Sequence, residues 1–312
     1  MCRPAALAAA LLLTCPSLAW ADSGRAAPGT WWQAWNWDPL ILLSLSLLAW
    51  LYCRGLARLW GKTGVGCKVG RWQAASYLGA LGVIFVALLS PLDALSAELS
   101  SFHMIQHMLL TILAAPLIVL GSPTFMLAWG LPECRQGWGR SFFTFAFRLP
   151  QEPILWQPPF VWALFAGTLW AWHHPVLYQA ALRDPLVHDA QHLSFFVVAC
   201  LFWRLCLDPL GGRRLCPAVA LPYLFATSLH AAALGVFLAL SPRAWYDDYA
   251  TRTSAWGFTL LQDQQLAGLI MWMPACLIYP AVAAILFGSW LAGLSETKGQ
   301  MEESERCHAP GG

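Results

Sequence analysis

Most histidines of this sequence stand at the ends of apolar segments, in positions that suit metal ligands. Six of the eight share this placement: His103, His107, His173, His174, His188 and His192. Within the set, two pairs have i,i+4 spacing, which places both imidazoles on one face of a helix. Neutral imidazole is the commonest metal ligand in proteins, so each pair offers two nitrogens to one ion. The sequence therefore predicts a metal site built from these six side chains.

Three methionines add soft sulfur ligands to this predicted site. Met104 and Met108 directly follow two of the histidines, and Met271 lies in the outer part of the last apolar segment. Thioether sulfur combined with imidazole favours Cu(I), so copper is the predicted cofactor. On a helix, each of the first two methionines is turned about 100° from the preceding histidine, which leaves lipid or a neighbouring helix as an alternative contact.

A structural explanation for the histidines stays open beside the metal site. A single histidine near a helix end is commonly interfacial and hydrogen-bonded to water or a backbone carbonyl. Ionisable side chains at membrane depth are costly, however, so six on one side of a bilayer favour a function. His230, alone near the middle of another apolar segment, is expected to pack against a neighbour and hydrogen-bond to it. Asp263 is expected either to orient a ligating imidazole or to begin a solvated helix.

The composition is that of a membrane protein. Of the 312 residues, 58% are apolar and only 11% are charged, and 19 are tryptophan. Segments of about twenty apolar residues are long enough to cross the hydrocarbon core as helices. We predict seven such spans, at residues 38–53, 73–90, 101–121, 154–173, 188–203, 217–240 and 264–287. The predicted fold class is all-α, a polytopic membrane helical bundle of about seven transmembrane helices.

Segments outside the spans complete the predicted organisation. Arg3, a following apolar run and the small residues Ala19 and Ala21 predict a cleaved signal peptide over residues 1–21. Residues 22–290 form the predicted membrane domain, and the polar composition of residues 291–312 predicts a disordered cytoplasmic tail. The prolines and charges between residues 122 and 153 indicate an interfacial segment.

Charge distribution predicts the orientation of the spans. Thirteen lysines and arginines lie in one set of loops and four in the alternate loops, so the first set faces the cytoplasm. The N-terminus left by signal cleavage is then periplasmic, the C-terminus is cytoplasmic, and the six histidines face outward in a bacterial inner membrane. The net charge of +2 provides no basic field for nucleic acid. No phosphate-binding glycine loop, zinc-protease helix or G-x-S-x-G motif occurs, so no enzymatic activity is predicted.

Several of these segments resemble a known family. They are S-F-H-M-I-Q-H-M-L-L from Ser101, L-W-A-W-H-H-P-V-L-Y-Q-A-A-L from Leu169, V-H-D-A-Q-H-L-S-F-F from Val187 and D-Q-Q-L-A-G-L-I-M-W from Asp263. Together with Trp245, Tyr246 and Tyr249, they resemble the CtaG family of multi-span cytochrome c oxidase assembly factors. A single-span copper-delivery protein shares that family name, but it relies on a paired-cysteine motif that this sequence lacks.

The resemblance implies a role in producing active heme-copper oxidase, by making copper available to the oxidase subunits. The implied partners are those subunits, periplasmic copper chaperones and membrane lipid. The spaced histidines of the family correspond to five of the six in this chain, and His174 extends the motif of the fourth span. Two other functions stay open. One is a membrane protein in which paired histidines bind heme b, and the other is a copper or proton-linked transporter.

Overall fold

The computed structural model describes residues 26–131, 157–209 and 214–308, with side chains described up to residue 292. Within these ranges the chain is helical and contains no strand. This confirms the predicted all-α fold class. The predicted signal peptide, residues 1–21, and residues 132–153 of the predicted interfacial segment lie outside the described residues.

The helices are numbered here in chain order. They are α1 (Pro39–Thr63), α2 (Arg71–Leu89), α3 (Pro91–Ser96), α4 (Ser100–Leu120), α5 (Pro123–Gly130), α6 (Pro158–His173), α7 (Pro175–Arg183), α8 (Pro185–Leu207), α9 (Pro217–Leu240) and α10 (Leu260–His308). All except α2, α4 and α10 begin at a proline. Proline suits this position because its φ is already helical and the N–H that it lacks would have no partner inside the helix.

Six of these helices are long and apolar enough to cross a membrane, namely α1, α2, α4, α8, α9 and α10. The remaining predicted span, residues 154–173, coincides with α6, whose described part has 16 residues. Every predicted span therefore coincides with a helix. The architecture is that of a polytopic helical bundle.

The last helix continues beyond the predicted end of the membrane domain. α10 runs to His308, whereas the sequence predicts a disordered tail from residue 291. Residues 291–308 contain no proline and several good helix formers, including Leu, Glu, Lys, Gln and Met. Backbone propensity therefore allows the helix to continue where the polar composition indicates disorder.

Close backbone contact joins α9 to α10. A Cβ atom added to Gly268 would lie 2.4 Å from the backbone nitrogen of Ala239 and 2.6 Å from the carbonyl oxygen of Gly235. Only a residue without a side chain fits at this crossing. Small residues at helix crossings let backbones approach closely in membrane proteins.

The start of the predicted interfacial segment packs against the first span. α5 lies against α1 so closely that a Cβ on Gly55 would be 2.1 Å from the carbonyl oxygen of Met126. Met126 and Leu127 are buried. The described part of this segment is therefore attached to the bundle through an apolar helix face.

Within α4, residues Leu109–Ala114 form a π-helical segment immediately after the turn that contains His107. The wider turn presents its carbonyl groups to neighbours, and the indole N–H of Trp203 donates to the carbonyl of Thr111 at 2.8 Å. The Thr111 hydroxyl donates to the carbonyl of His107 at 2.7 Å. Single π-turns inside α-helices are often found at functional sites.

Candidate metal site

Three helices bring histidines to one end of the bundle. α4 and α8 begin at this end, with His103 and His107 on α4 and His188 and His192 on α8. α6 ends there with His173 as its last residue. We call these five residues the histidine cluster. His103, His107, His173 and His192 are buried, and His188 is half-buried.

Three members of the cluster converge tightly enough to share an ion. His103, His188 and His192 each offer a ring nitrogen that lies within 4.8 Å of the other two. Their ring centres are 4.2–6.0 Å apart. Imidazoles that bind one ion through nitrogens at about 2 Å have ring centres roughly 5–6 Å apart. The separations of His103 from the other two agree with this range.

The other two members, His107 and His173, extend the cluster. The ring of His107 lies 5.3 Å from His192 and 6.4 Å from His173, measured between ring centres. Both ring nitrogens of His107 and the Nε2 atom of His173 are buried without a hydrogen-bond partner among the described residues. Both nitrogens of His103 and Nε2 of His192 share this property. Buried polar atoms are normally paired, so these rings carry unused ligand capacity.

His174 stands apart from the cluster. Its side chain is exposed, and it links the end of α6 to Pro175 at the start of α7 with an extended backbone. The change of direction between the two helices turns His174 away while His173 faces inward. The structure therefore brings together five of the six predicted histidines.

The predicted methionine ligands occupy two environments. Met104 is fully buried in the main apolar core. Met108 and Met271 both line a cavity of about 20 Å³, together with Leu169 and Phe195. That volume holds roughly one water molecule. Met108 and Met271 thus line one cavity, whose lining includes Phe195, a ring neighbour of His107 and His173. Metal binding by the three methionines stays a prediction.

Asp263 on α10 fixes the start of the helix that carries His103 and His107. Its carboxylate accepts hydrogen bonds from the backbone N–H and hydroxyl groups of Ser100 and Ser101, at 2.6–3.2 Å. The carboxylate is fully buried. It satisfies the first N–H groups of α4 and lies at the positive end of the helix dipole. Because Asp263 is buried, the expectation that it begins a solvated helix is wrong. Its carboxylate binds the start of α4, whereas the other expectation was that it orients a ligating imidazole.

Gln106 fixes the rotation of α4 between its two histidines. Its amide N–H donates to the carbonyl of Ala87 at 2.8 Å and to the Asp93 carboxylate at 2.9 Å. Asn36 donates to the second oxygen of Asp93 at 3.0 Å. Burial raises the pKa of the Asp93 carboxyl above its ordinary value, and the two hydrogen bonds lower it by less. These hydrogen bonds join Gln106 to α2 and α3 and so fix the rotation of the helix that carries His103 and His107.

Tyrosines cover the cluster on the side of the α9–α10 connection. The ring of Tyr178 lies 5.1 Å from His103, and Tyr246 stacks on Tyr178 with ring centres 3.8 Å apart. The Tyr246 hydroxyl donates to the carbonyl of His173 at 3.0 Å, and the Tyr249 hydroxyl donates to the carbonyl of Ser96 at 2.9 Å. We call Tyr178, Tyr246 and Tyr249 the tyrosine cap. Burial raises the pKa of each of these phenols, so the cap is uncharged.

Sequence reasoning assigned no role to the tyrosine cap, although the segments that carry the resemblance include all three of its tyrosines. Gln264 supports the cap from α10. Its amide oxygen accepts from the backbone N–H of Trp245 at 2.5 Å, and its amide N–H donates to the backbone carbonyl of Arg243 at 3.2 Å. The sequence signal for these contacts was the adjacent polar pair Asp263 and Gln264 at the start of an apolar helix. Asp263 binds the start of α4, and Gln264 binds the connection between α9 and α10.

His230 lies away from the cluster. Its ring packs against Trp162 at 5.3 Å and Phe165 at 6.2 Å between ring centres. The predicted packing is therefore present. The predicted hydrogen bond is not, since both ring nitrogens are unpaired within the described part of the chain.

Chemically, the cluster is a largely buried set of imidazole nitrogen donors capped by uncharged aromatic rings. Such a set can bind a soft or borderline transition-metal ion with little access for water. Nothing in this donor set provides a nucleophile beside a base.

Comparison with known proteins adds relatives of undefined function. The chain is 28% identical over 262 residues to an uncharacterized protein of Mycobacterium bovis and, equally, to one of Mycobacterium tuberculosis. An uncharacterized protein of Mycobacterium leprae is 26% identical over the same length. These alignments cover 82% of this chain but 39% of each relative, so the chain spans about two fifths of their length. No solved structure matches the chain.

A family model identifies the chain more closely. The model of the cytochrome c oxidase caa3 assembly factor matches residues 50–293. This match includes every member of the histidine cluster, the tyrosine cap and Asp263. The chain belongs to the cytochrome c oxidase caa3 assembly factor family.

Proposed function

We propose that the protein holds Cu(I) in its histidine cluster and makes it available to cytochrome c oxidase subunits during assembly, without catalysing a reaction. The observation that carries this proposal is the convergence of His103, His188 and His192, whose ring nitrogens lie within 4.8 Å of one another. Membership of the assembly-factor family supplies the link to the oxidase. The geometry supplies the link to a metal.

The chemistry of the site favours Cu(I) among the metals that imidazole binds. A buried site with uncharged donors disfavours the higher charge of a divalent ion, because charge is costly in a low-dielectric interior. Met108 and Met271 place soft sulfur in the cavity beside the cluster, and thioethers select Cu(I). Zn²⁺ is the main competitor, since three histidines can also bind zinc.

The proposed setting is a bacterial inner membrane with the cluster facing the periplasm. The asymmetry of lysine and arginine between alternate loops supports this orientation, with the C-terminus in the cytoplasm. Copper would then arrive from periplasmic chaperones and leave toward oxidase subunits in the same bilayer. Exposed Trp31, Trp32, Trp35 and Trp37 before α1 suit contact with lipid headgroups on this side.

The ring packing favours an ion over heme b. Two axial imidazoles need a flat slot between them for the porphyrin. In the cluster, His103 instead contacts His107, His188 and His192 directly, with ring centres 4.3–6.0 Å apart. We expect the purified protein to lack a Soret band. A stoichiometric Soret band would favour the heme function.

Deletion and complementation in the host test the proposed function. We expect the oxidase purified from the deletion strain to lose copper while it retains heme, and the full-length gene to restore the copper-to-heme ratio. A His188→Ala/His192→Ala variant should fail to restore it. His174→Ala is the matched control, because this exposed histidine lies outside the cluster. Full copper content in the deletion strain, or full rescue by the double variant, would contradict the proposal.

A further inference from the structure

The histidine cluster divides into two groups of potential ligands. His103, His188 and His192 form the group with mutually close nitrogens, which we call the outer group. His107 and His173 remain, and we call them the inner pair. His107 is one helical turn further into α4 than His103, and both inner rings contact Phe195, at 4.7 and 6.1 Å between ring centres.

We infer that the inner pair is a second Cu(I) subsite, so that the cluster holds two ions. This inference rests on the proposed function, since it assumes that copper is the metal. The ring centres of His107 and His173 are 6.4 Å apart. Two imidazoles on opposite sides of one ion, each with its nitrogen about 2 Å away, have ring centres roughly 6 Å apart. The pair therefore has the spacing of a two-coordinate site, a geometry that Cu(I) accepts and zinc does not favour.

His173 has the hydrogen bond typical of a metal-binding histidine. Its Nδ1 atom lies 2.7 Å from the carbonyl oxygen of Leu169, a group that only accepts, so the neutral ring has its proton on Nδ1. The lone pair is then on Nε2, which is buried without a partner among the described residues. Ligating histidines commonly donate their other ring N–H to a backbone carbonyl, which fixes the tautomer and the ring orientation.

Two residues connect the two groups. His103 and His192 belong to the outer group, and their ring centres lie 4.3 and 5.3 Å from that of His107. An ion can therefore exchange ligands between the groups without crossing an apolar gap. Phe195 contacts both rings of the inner pair and also lines the cavity that Met108 and Met271 line.

Cu(I) stoichiometry of the full-length protein in detergent tests this inference. Under anaerobic conditions, with a chromophoric Cu(I) chelator as competitor, we expect the wild-type protein to retain about two equivalents. His107→Gln/His173→Gln should retain about one, and His188→Gln/His192→Gln should also retain about one. His174→Gln, the exposed neighbour of the inner pair, should retain both. Glutamine preserves hydrogen-bonding capacity, and intrinsic tryptophan fluorescence with gel filtration shows that each variant is folded.

The outcomes separate the two proposals. One equivalent in the wild-type protein, or loss of all copper in both double variants, would overturn the second subsite and leave a single shared site. Two equivalents in the folded His107→Gln/His173→Gln variant would also overturn it. A wild-type protein that retains no Cu(I) would instead overturn the proposed function.

Discussion

Buried imidazoles are the residues on which the proposed function depends. A buried polar atom without a partner costs roughly 1–3 kcal/mol, and His103 and His107 each carry two such atoms among the described residues. His173 and His192 each add one more such atom. A protein that bound nothing here would gain stability by replacing these rings with apolar side chains. A metal ion that accepts the nitrogen lone pairs would explain why buried imidazoles occupy these positions.

Tyr246 is expected to control how fast copper leaves the cluster. It stacks on Tyr178 at 3.8 Å and donates to the carbonyl of His173. An aromatic pair contributes about 0.5–1.5 kcal/mol beyond its buried area, so Tyr246→Ala should speed transfer of Cu(I) to an external chelator by about tenfold. Tyr246→Phe retains the stacking and should have a smaller effect. Stopped-flow transfer rates that are equal in all three proteins would contradict this role.

Asp93 is expected to give the stability a distinctive pH dependence. Burial raises the pKa of its carboxyl, so the folded protein binds that proton more tightly than the unfolded chain. The free energy of unfolding then falls as pH rises from the ordinary aspartate value, about 3.9, to the raised value. Asp93→Asn removes this contribution.

Thermal midpoints in detergent measure the effect. The midpoint of the wild-type protein minus that of Asp93→Asn should decrease as the pH rises above about 4. A difference that increased with pH would show that the hydrogen bonds from Asn36 and Gln106 outweigh burial.

At the scale of single residues, the sequence identified the histidines of the cluster but predicted only part of their spatial arrangement. The i,i+4 spacing identified both pairs on α4 and α8, because neighbours on one helix follow from helical geometry alone. The direction of His173 relative to His174 depends on where α6 ends, which the spacing of residues does not determine. The contact of His107 with His173 depends on how α4 packs beside α6, so it required the structure.

At the scale of elements, one carboxylate links the last helix to the helix that carries His103. Asp263 accepts four hydrogen bonds at the start of α4, although 163 residues separate it from Ser100 in the chain. This cap fixes the position of α4 along its axis relative to α10. The sequence marked Asp263 as important but indicated the wrong partner, since a long-range cap leaves no local pattern.

Asp263→Asn is expected to destabilise the protein and weaken copper binding. The substitution replaces one acceptor oxygen with an amide that cannot accept from Ser100 or Ser101. Loss of a helix cap costs about 0.5–2 kcal/mol, and burial places this variant at the upper end. The control is Asp247→Asn, because Asp247 is an exposed carboxylate in the connection between α9 and α10. Equal thermal midpoints for the two variants would contradict a capping role.

At the scale of the whole molecule, membrane helices must associate by close packing because lipid is as apolar as their side chains. The crossing of α9 and α10 is such a contact, since a Cβ on Gly268 would lie 2.4 Å from Ala239. Composition and length predicted the helices and their order well, because span length follows from bilayer thickness. The crossings were not predictable, since glycines at contacts and at lipid-facing positions look alike in sequence.

Gly268→Ala should therefore lower the thermal midpoint and the yield of folded protein. Gly288→Ala provides a matched control on the same helix, because a Cβ there has no atom within 4 Å. Alanine in an open helical position stabilises by about 0.5–1 kcal/mol relative to glycine. The two substitutions should thus shift the midpoint in opposite directions. A shift of the same sign and size for both would show that the crossing is looser than described.

The most direct test of the central claim is X-ray absorption at the copper edge of the Cu(I)-loaded, full-length protein. We expect nitrogen neighbours at about 2 Å with the outer-shell scattering of imidazole rings, and loss of much of this signal in His103→Gln/His188→Gln/His192→Gln. His174→Gln should leave the spectrum unchanged. Copper bound through sulfur alone, or an imidazole signal as strong in the triple variant as in the wild-type protein, would contradict the assignment of copper to the histidine cluster.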